Sequence, residues 1–307
     1  MKNVIIESDI GHDPDDVFAI LYLHSAGVNI RAITVSKGQP HQLALIRFIC
    51  KELGLDIPVG AVSLDVPQEK KFSGGFEGRP LQEYVGFHYK MLSHFGYPYA
   101  GQADKLGHEV ISDTLKEYPD SEVFVIGAPK NFSTYLKGPK ANIPIEQVTF
   151  QGGFIGYDVH NMPCKRLPKF EGKTTCPSFN PNGDVKGTQL IVDHPMIKKL
   201  RFVSKNVCHT ILYNKEVHEL MKSSLPKNRA DELFLKGMDI YLEKHSEKKF
   251  HDPVAAVCML HPEIATWVKG KLYREKGGWG TRLDPTSNSE TIVSIDEDAL
   301  WNKILDK

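Results

Sequence analysis

Four aspartates lie within eight positions near the start of the chain, in the stretch VIIESDIGHDPDDVFAI at residues 4–20. They are Asp9, Asp13, Asp15 and Asp16, and they directly follow an apolar run. One of them, for example Asp13, can cap the following helix and interact with its dipole. Capping does not account for all four, because clustered carboxylates repel one another. A hard cation that takes oxygen ligands relieves this repulsion, so the cluster predicts a site for magnesium or calcium.

Two other acidic motifs fit this stretch poorly. In an EF-hand loop a glycine takes a set place and a glutamate closes the loop, but Gly11 is misplaced here and no such glutamate follows. A phosphatase built on an Asp-x-Asp pair is also disfavoured, because Glu7 stands at the first acidic position. Neither motif therefore identifies the class of protein to which the predicted cation site belongs.

A second polar group, FHDP, opens an apolar helical segment at residues 250–262. Pro253 falls in the first turn, where proline is tolerated, and Asp252 is either a helix cap or a further cation ligand. If Asp252 is a ligand, His251 points into the same cleft. A histidine titrates in the range that suits proton transfer, so His251 is a candidate acid or base.

These residues need a scaffold that brings strand ends and helix starts together. Apolar strand-like segments alternate with helical patterns, which predicts an α/β fold with a mostly parallel central sheet flanked by helices. Ligands in such folds bind beyond the carboxyl ends of the strands. We predict one domain over residues 1–307, with an irregular loop at about 155–184. The clearest predicted strands are 3–8, 29–36, 57–62, 122–129 and 147–153, and the helices are 15–27, 41–54, 81–95 and 104–118.

Composition limits the classes of partner. The 307 residues carry 38 basic and 38 acidic side chains, so the formal net charge of zero does not favour nucleic acid or a membrane surface. Five cysteines without a CxxC pair argue against a disulfide framework. The first apolar run is too short for a signal peptide, and no segment has the length of a transmembrane helix. We expect a soluble cytoplasmic protein.

Six segments, taken in chain order, resemble the nucleoside hydrolases, the inosine–uridine-preferring N-ribohydrolases. The first is similar to the family signature Asp-x-Asp-Ile-Gly-x-Asp-x-Asp-Asp, and the last is similar to its His-Asp-Pro signature. Their order and their spread over nearly the whole chain make the resemblance strong. The segments are IIESDIGHDPDDVFAI (5–20), VIGAPKN (125–131), VTFQGGF (148–154), SFNPNGD (178–184), KNVCH (205–209) and HDP (251–253).

The resemblance implies a Rossmann-like domain with a calcium ion at the bottom of a cleft, a small-molecule nucleoside as substrate, and a homo-oligomer, a dimer or a tetramer. It also implies hydrolysis of the N-glycosidic bond of a ribonucleoside to ribose and free base. Asp15 and Asn180 would hold the ribose hydroxyls. The calcium ligands would be the carboxylates of Asp9, Asp16 and Asp252 and the backbone carbonyl of Ile126.

The chemistry of such a site follows from the charge that the reaction develops. Cleavage of an N-glycosidic bond builds positive charge on the ribose, as in an oxocarbenium ion, and carboxylates around the ring stabilise it. Asp9 is the candidate that takes a proton from the attacking water. The departing base is a poor leaving group without a proton, and His251 is the candidate donor.

Several positions depart from the family pattern. Glu7 replaces the first aspartate of the common motif, and we expect it to support the loop rather than the reaction. Gln39 stands where the family often has asparagine, so its amide is a candidate substrate contact. Ser178 replaces a glutamate that helps to bind the 5′-hydroxyl. The loop also carries four basic residues that are either a solvated face or a phosphate contact: Lys165, Arg166, Lys169 and Lys173.

The base pocket is less defined in sequence. Aromatic rings stack on bases, but they are more often packing residues. Candidates are Phe76, Tyr241 and Trp279, with His245 beside them. Two alternatives to a ribonucleoside hydrolase remain open: an enzyme that acts on a 5′-nucleotide or modified nucleoside, and a relative that binds nucleosides without turnover.

Overall fold

The computed structural model describes residues 1–11, 13–65 and 86–306, and a ten-stranded sheet crosses these ranges. The glycine-rich stretch KFSGGFEGRP at residues 71–80, which contains Phe76, lies outside the described residues. Two further strands, β8 and β9, pair separately. The strands are β1 (Asn3–Ser8), β2 (Asn29–Val35), β3 (Val59–Ala61), β4 (Lys105–Leu106), β5 (Glu122–Val125), β6 (Val148–Gln151), β7 (Leu200–Val203), β8 (Leu212–Asn214), β9 (Glu247–Lys249), β10 (Ala265–Glu275), β11 (Gly278–Leu283) and β12 (Ser289–Ile295).

Helices cover both faces of the sheet. The described residues also contain the short 3₁₀ turns Pro168–Phe170 and Pro262–Ile264. The α-helices are α1 (Asp15–Ser25), α2 (Pro40–Leu53), α3 (Phe87–His94), α4 (Gly107–Glu117), α5 (Lys130–Lys137), α6 (Tyr157–His160), α7 (Phe179–Gly183), α8 (Val185–Val192), α9 (Lys205–Cys208), α10 (Lys215–Ser224), α11 (Arg229–Leu242), α12 (Asp252–Leu260) and α13 (Glu297–Leu305).

The sheet is mostly parallel, as the sequence predicted. Its spatial order is β11-β10-β12-β7-β6-β5-β1-β2-β3-β4, and only the β10–β11 and β10–β12 pairs are antiparallel within it. Successive side chains of a strand point to opposite faces. In β1, Val4 and Ile6 accordingly join the core with α1, α2, α11 and α12, whereas Ile5 joins the core with α4 and α5. The fold class is therefore an α/β domain with helices on both sides.

The point where the strand order reverses fixes the place of the site. From β1 the chain continues through β2 and β3 to one side, and β5, β6 and β7 lie on the other side of β1. The carboxyl ends of β1 and β5 therefore flank a topological switch point, where α/β proteins bind ligands. Asp9 follows β1 there, and Ile126 follows β5.

Two regions differ from the sequence-based expectation. The segment 155–184 is not wholly irregular, since it contains α6, a 3₁₀ turn and α7. The β10–β11 hairpin was not predicted, because its alternation of buried and exposed residues is incomplete. All five cysteines are unpaired, as expected. Within the described ranges, no helix is both long and apolar enough to cross a bilayer.

Candidate active site

The acidic loop after β1 is held by hydrogen bonds between its own residues. Ser8 Oγ donates to Asp16 Oδ1 at 2.6 Å, and the Asp9 backbone N–H donates to the same oxygen at 3.2 Å. Ser8 Oγ also accepts from the Ile10 N–H at 3.0 Å. Asp15 and Asp16 form the first turn of α1, where the helix dipole favours negative charge. The loop therefore places buried carboxylates at a fixed position beyond β1.

Two residues from distant segments hold the outer part of this loop. Gln42 of α2 donates through Nε2 to the backbone carbonyls of Asp9 at 3.1 Å and Ile10 at 2.7 Å. The His88 backbone N–H donates to the Gly11 carbonyl at 2.9 Å, and the His88 ring contacts the same carbonyl. Sequence reasoning missed both residues. A polar residue on an otherwise buried helix face was the only sequence signal for Gln42.

The end of β5 approaches the loop so closely that a side chain is excluded. A Cβ on Gly127 would lie 2.4 Å from the Asp9 backbone nitrogen. The glycine thus allows the backbone of residues 126 and 127 to lie against the acidic loop. The Ile126 carbonyl accepts a hydrogen bond from Asn180 Nδ2 at 3.0 Å. Ile126 and Asn180 are therefore brought together beside Asp9.

Asn180 is anchored by its amide nitrogen. Besides Ile126, its Nδ2 lies 2.8 Å from Gln151 Oε1 and 3.2 Å from the Gln151 carbonyl at the end of β6. Asn180 is buried in α7. These contacts orient the amide so that Oδ1 is the atom left to accept a hydrogen bond from a ligand hydroxyl.

A buried lysine forms the opposite side of the acidic loop. Lys248 of β9 lies with its Nζ 2.8 Å from Asp13 Oδ1 and 2.9 Å from Asp15 Oδ1. His251 Nδ1 lies 3.0 Å from Asp15 Oδ2. Burial raises the pKa of Asp15, but Lys248 and His251 outweigh burial, and the net pKa is below the usual value. Asp15 is therefore an anion that orients His251, and Lys248 is a site residue that the sequence did not reveal.

The remaining carboxylates behave in the opposite way. Burial, opposed by Lys37 and reinforced by neighbouring carboxylates, raises the pKa of Asp9 to about 7. Burial and the charge of Asp9 raise the pKa of Asp16 well above its usual value. Burial and the charges of Asp16, Asp15 and Asp9 do the same for Asp252. These side chains are close enough to repel one another when ionised.

This donor set fits a hard cation by its chemistry. Asp252 is 5% exposed at the first turn of α12, and no donor in the described ranges is hydrogen-bonded to its carboxylate. A buried carboxylate without a donor is costly unless it is protonated or meets a cation. The carboxylates do not yet surround a common point. Among the described residues, no group of three His, Cys, Asp or Glu side chains is arranged so that it could hold a metal ion.

The predicted base contacts have different positions. Tyr241 of α11 is half-buried and stacks on His245, with ring centroids 4.3 Å apart. Burial raises the pKa of Tyr241 and the charge of Lys248 lowers it, so Tyr241 lies at the edge of the site. Gln39 is the N-cap of α2, and its backbone N–H donates to Gln42 Oε1 at 3.0 Å.

Trp279 corrects the sequence-based expectation of a base contact. Its ring is fully buried in the core, and Nε1 donates to Asn182 Oδ1 at 2.9 Å. The flanking glycines explain the burial, because a Cβ on Gly280 would lie 2.5 Å from the Thr174 carbonyl oxygen. The segment around Thr174 therefore packs over β11 and covers the ring. Trp279 supports the turn that carries Asn180.

Comparisons with known proteins identify relatives of the chain and structures of the same fold. The chain is 28% identical over 285 residues to an uncharacterized protein of Aquifex aeolicus, covering 88% of this chain and 87% of the relative. It is similar in fold to a plant nucleoside hydrolase, with a TM-score of 0.72, 18% identity and coverage of 99% of this chain and 98% of that one. An inosine-uridine preferring nucleoside hydrolase from Bacillus anthracis gives a TM-score of 0.69, 13% identity and the same coverage.

The family model described as inosine-uridine preferring nucleoside hydrolase matches residues 4–302, nearly the full chain. The match includes the acidic loop, the Asn180 turn and the His251–Asp252 pair. With its parallel sheet and its carboxylates at the switch point, the chain belongs to the inosine-uridine preferring nucleoside hydrolases, enzymes that cleave N-glycosidic bonds.

Proposed function

We propose that this enzyme is a calcium-dependent ribonucleoside N-ribohydrolase that releases ribose and a free base. One observation carries the proposal: Asp16 at the start of α1 and Asp252 at the start of α12 are buried, and after burial the charge of the partly buried Asp9 raises the pKa of both. A divalent cation offsets this repulsion. The three carboxylates and the Ile126 carbonyl would hold it. When bound, the ion supplies positive charge for the ribose diol and the attacking water.

Each side chain then has a defined task. Asp9 acts as the general base that takes a proton from the attacking water. Asp15 accepts hydrogen bonds from the ribose hydroxyls, and Asn180 contributes Oδ1. The negative charge of the surrounding carboxylates stabilises the positive charge that develops on the ribose.

Protonation of the departing base falls to His251. The ionised Asp15 accepts from Nδ1–H at 3.0 Å, so this contact fixes the ring and turns Nε2 away from Asp15. A protonated Nε2 is then the donor to the leaving base. Tyr241, Gln39 and Phe76 are the candidate contacts of the base and ribose, and Phe76 lies outside the described residues.

The first experiment measures free base by chromatography after incubation of the purified protein with calcium and a panel of ribonucleosides. We expect base release by the wild type, and a decrease of about 10³-fold for Asp9→Asn, the usual effect of losing a general base. Chelation with EDTA should abolish release, and calcium should restore it. No release from any nucleoside, with calcium still bound, would leave a binding protein as the better description.

Assembly and location complete the proposal. We propose a homo-oligomer, a dimer or a tetramer, which light scattering after gel filtration would measure as a mass of about two or four chains. We also propose that the enzyme acts in the cytoplasm, which is consistent with its five unpaired cysteines.

A further inference from the structure

Three lysines converge on one histidine beside the candidate active site. We call Lys169, Lys205 and Lys249 the lysine cluster; Lys169 contacts His209, and the charges of all three act on it. Lys169 Nζ lies 2.7 Å from His209 Nδ1. The charges of all three lysines lower the pKa of His209, after burial as the largest cause. Basic side chains from the 155–184 loop, α9 and β9 therefore share one place in the fold.

The cluster carries positive charge with little compensation. Within the described part of the chain, no carboxylate forms an ion pair with Lys169 or Lys205. Lys249 has only Glu247, at 3.6 Å. Lys205 Nζ instead donates to the Pro177 carbonyl at 2.8 Å. Like charges held together without counter-charges favour the binding of an anion.

Neighbouring basic residues of the same loop lack this property. Lys165 Nζ lies 3.3 Å from Glu297 Oε2, and Arg166 forms ion pairs with Asp158 at 3.0 Å and Glu171 at 2.7 Å. These two side chains are neutralised by the protein. Lys169 differs from these two side chains, because burial, followed by the charges of Lys249 and Lys205, lowers its pKa.

His209 takes part as a neutral acceptor. Burial, followed by the charges of His251 and Lys169, lowers its pKa to about 3. At neutral pH its Nδ1 accepts the hydrogen bond from Lys169, which orients the ammonium. The lysine also lies over the Phe170 ring, at 5.1 Å from its centroid.

The cluster borders the candidate site on two sides. The His209 and His251 ring centroids are 5.0 Å apart. Lys205 binds the carbonyl of Pro177, three residues before Asn180 in the chain. An anionic group on a substrate held by Asn180 and His251 would therefore lie within reach of the cluster.

We propose that the lysine cluster binds an anionic substituent of the substrate, a phosphate on the ribose or a carboxylate on the base. This inference rests on the proposed function for the position of the substrate. It deepens that function by selecting nucleotides or acidic nucleosides over neutral ones. Ammonium groups form charge-assisted hydrogen bonds with phosphate and with carboxylate alike, so the experiment must separate the two sources.

Equilibrium binding by calorimetry tests the proposal without requiring turnover. Two matched pairs of ligands are used: ribose 5-phosphate against ribose, and orotate against uracil. In at least one pair, we expect the wild type to bind the anion about tenfold more tightly than the neutral partner. The first pair reports a phosphate on the ribose, and the second reports a carboxylate on the base.

Three variants decide whether the cluster is responsible. Lys169→Gln/Lys205→Gln should lose the preference, and Lys169→Arg/Lys205→Arg should retain most of it. Lys165→Gln, in the same loop but paired with Glu297, should retain it fully. Equal affinity for anion and neutral partner in the wild type, or a preference that survives the double Gln change, would overturn the proposal. Base release from neutral nucleosides is measured separately, so failure of the hydrolase assignment remains distinguishable.

Discussion

Two buried acidic side chains at the same end of the sheet have opposite surroundings. Glu7, near the end of β1, is fully buried and accepts hydrogen bonds from Thr34 Oγ1 at 2.8 Å, the Asn131 N–H at 3.0 Å and the Phe132 N–H at 3.2 Å. Asp252 is almost as buried, but after burial the largest effects on its pKa come from other carboxylates. A buried acid surrounded by donors is part of the scaffold, whereas one surrounded by acids is available to a ligand.

This contrast divides the buried acidic residues near the site into two kinds. Glu7 joins β1 to β2 and to the start of α5, so it holds the strands whose ends build the site. Burial still raises its pKa, to about 8, although the hydrogen bonds oppose the increase. Neither the residue type nor the degree of burial separates Glu7 from Asp252. The identity of the neighbours does.

The largest expected effect is a difference in activity and calcium affinity between variants of Asp252 and of Glu7. Asp252→Asn should lower kcat/KM about 10³-fold, because under the proposed function it removes a carboxylate that would hold the cation. Calorimetry should also detect weaker calcium binding. Glu7→Gln is the matched control, and its calcium affinity should stay unchanged. An equal loss of calcium affinity in both variants would contradict the assignment of Glu7 to the scaffold and of Asp252 to the cation site.

The next effect concerns stability. Glu7→Ala should lower the free energy of unfolding by about 3 kcal/mol, because it leaves buried donors of Thr34, Asn131 and Phe132 without an acceptor. Urea denaturation measures this change. Asp252→Asn should cost much less stability or increase it, since it removes repulsion among the carboxylates. If the metal-free protein instead loses more stability with Asp252→Asn, the carboxylates do not repel one another as inferred.

A pH series sharpens the contrast in the metal-free protein. Burial raises the pKa of Asp9 from 3.8 to about 7, so between these values the folded chain holds a proton that the unfolded chain has released. Its contribution to stability therefore falls as pH rises from about 4 to 7, by at most about 1.4 kcal/mol per pH unit. In EDTA, Asp9→Asn should make this slope shallower, and the raised pKa values of Glu7, Asp16 and Asp252 should keep the rest of it. An identical pH dependence in both proteins would contradict the shift.

The smallest effect tests the corrected role of Trp279. Trp279→Phe should cost about 1 kcal/mol, because the hydrogen bond from Nε1 to Asn182 is lost. The ratio of kcat/KM between a purine and a pyrimidine ribonucleoside should not change. A changed ratio would show that Trp279 contributes to base recognition, despite its burial.

Much of the fold was predictable because the local patterns were strong. The apolar run before Asp9, the helix from Asp15 and the helix from Asp252 follow from hydrophobic periodicity and first-turn residues, and the structure places them within a few residues of the predicted bounds. The β10–β11 hairpin was missed because β10, which is mostly half-buried or exposed, carries a weak local signal.

Contacts between distant segments were not predictable in this way. Gln42 reaches a carbonyl 33 residues away, and Lys248 reaches Asp13 and Asp15 from the far end of the chain. A lysine within EKK has the same local pattern whether it is solvated or buried. Only the docking of β9 beside the acidic loop decides between these environments.

The sequence by itself determined which chemical groups are present and at which strand ends they lie. Aspartates after an apolar strand, and a His-Asp-Pro at a helix start, were enough to predict oxygen ligands, a candidate proton donor and the family. Tertiary structure alone decided which donors Glu7 meets, that Trp279 is core and that Lys169 joins other lysines. The physical reason is that pKa, burial and counter-charge depend on neighbours brought together from distant parts of the chain.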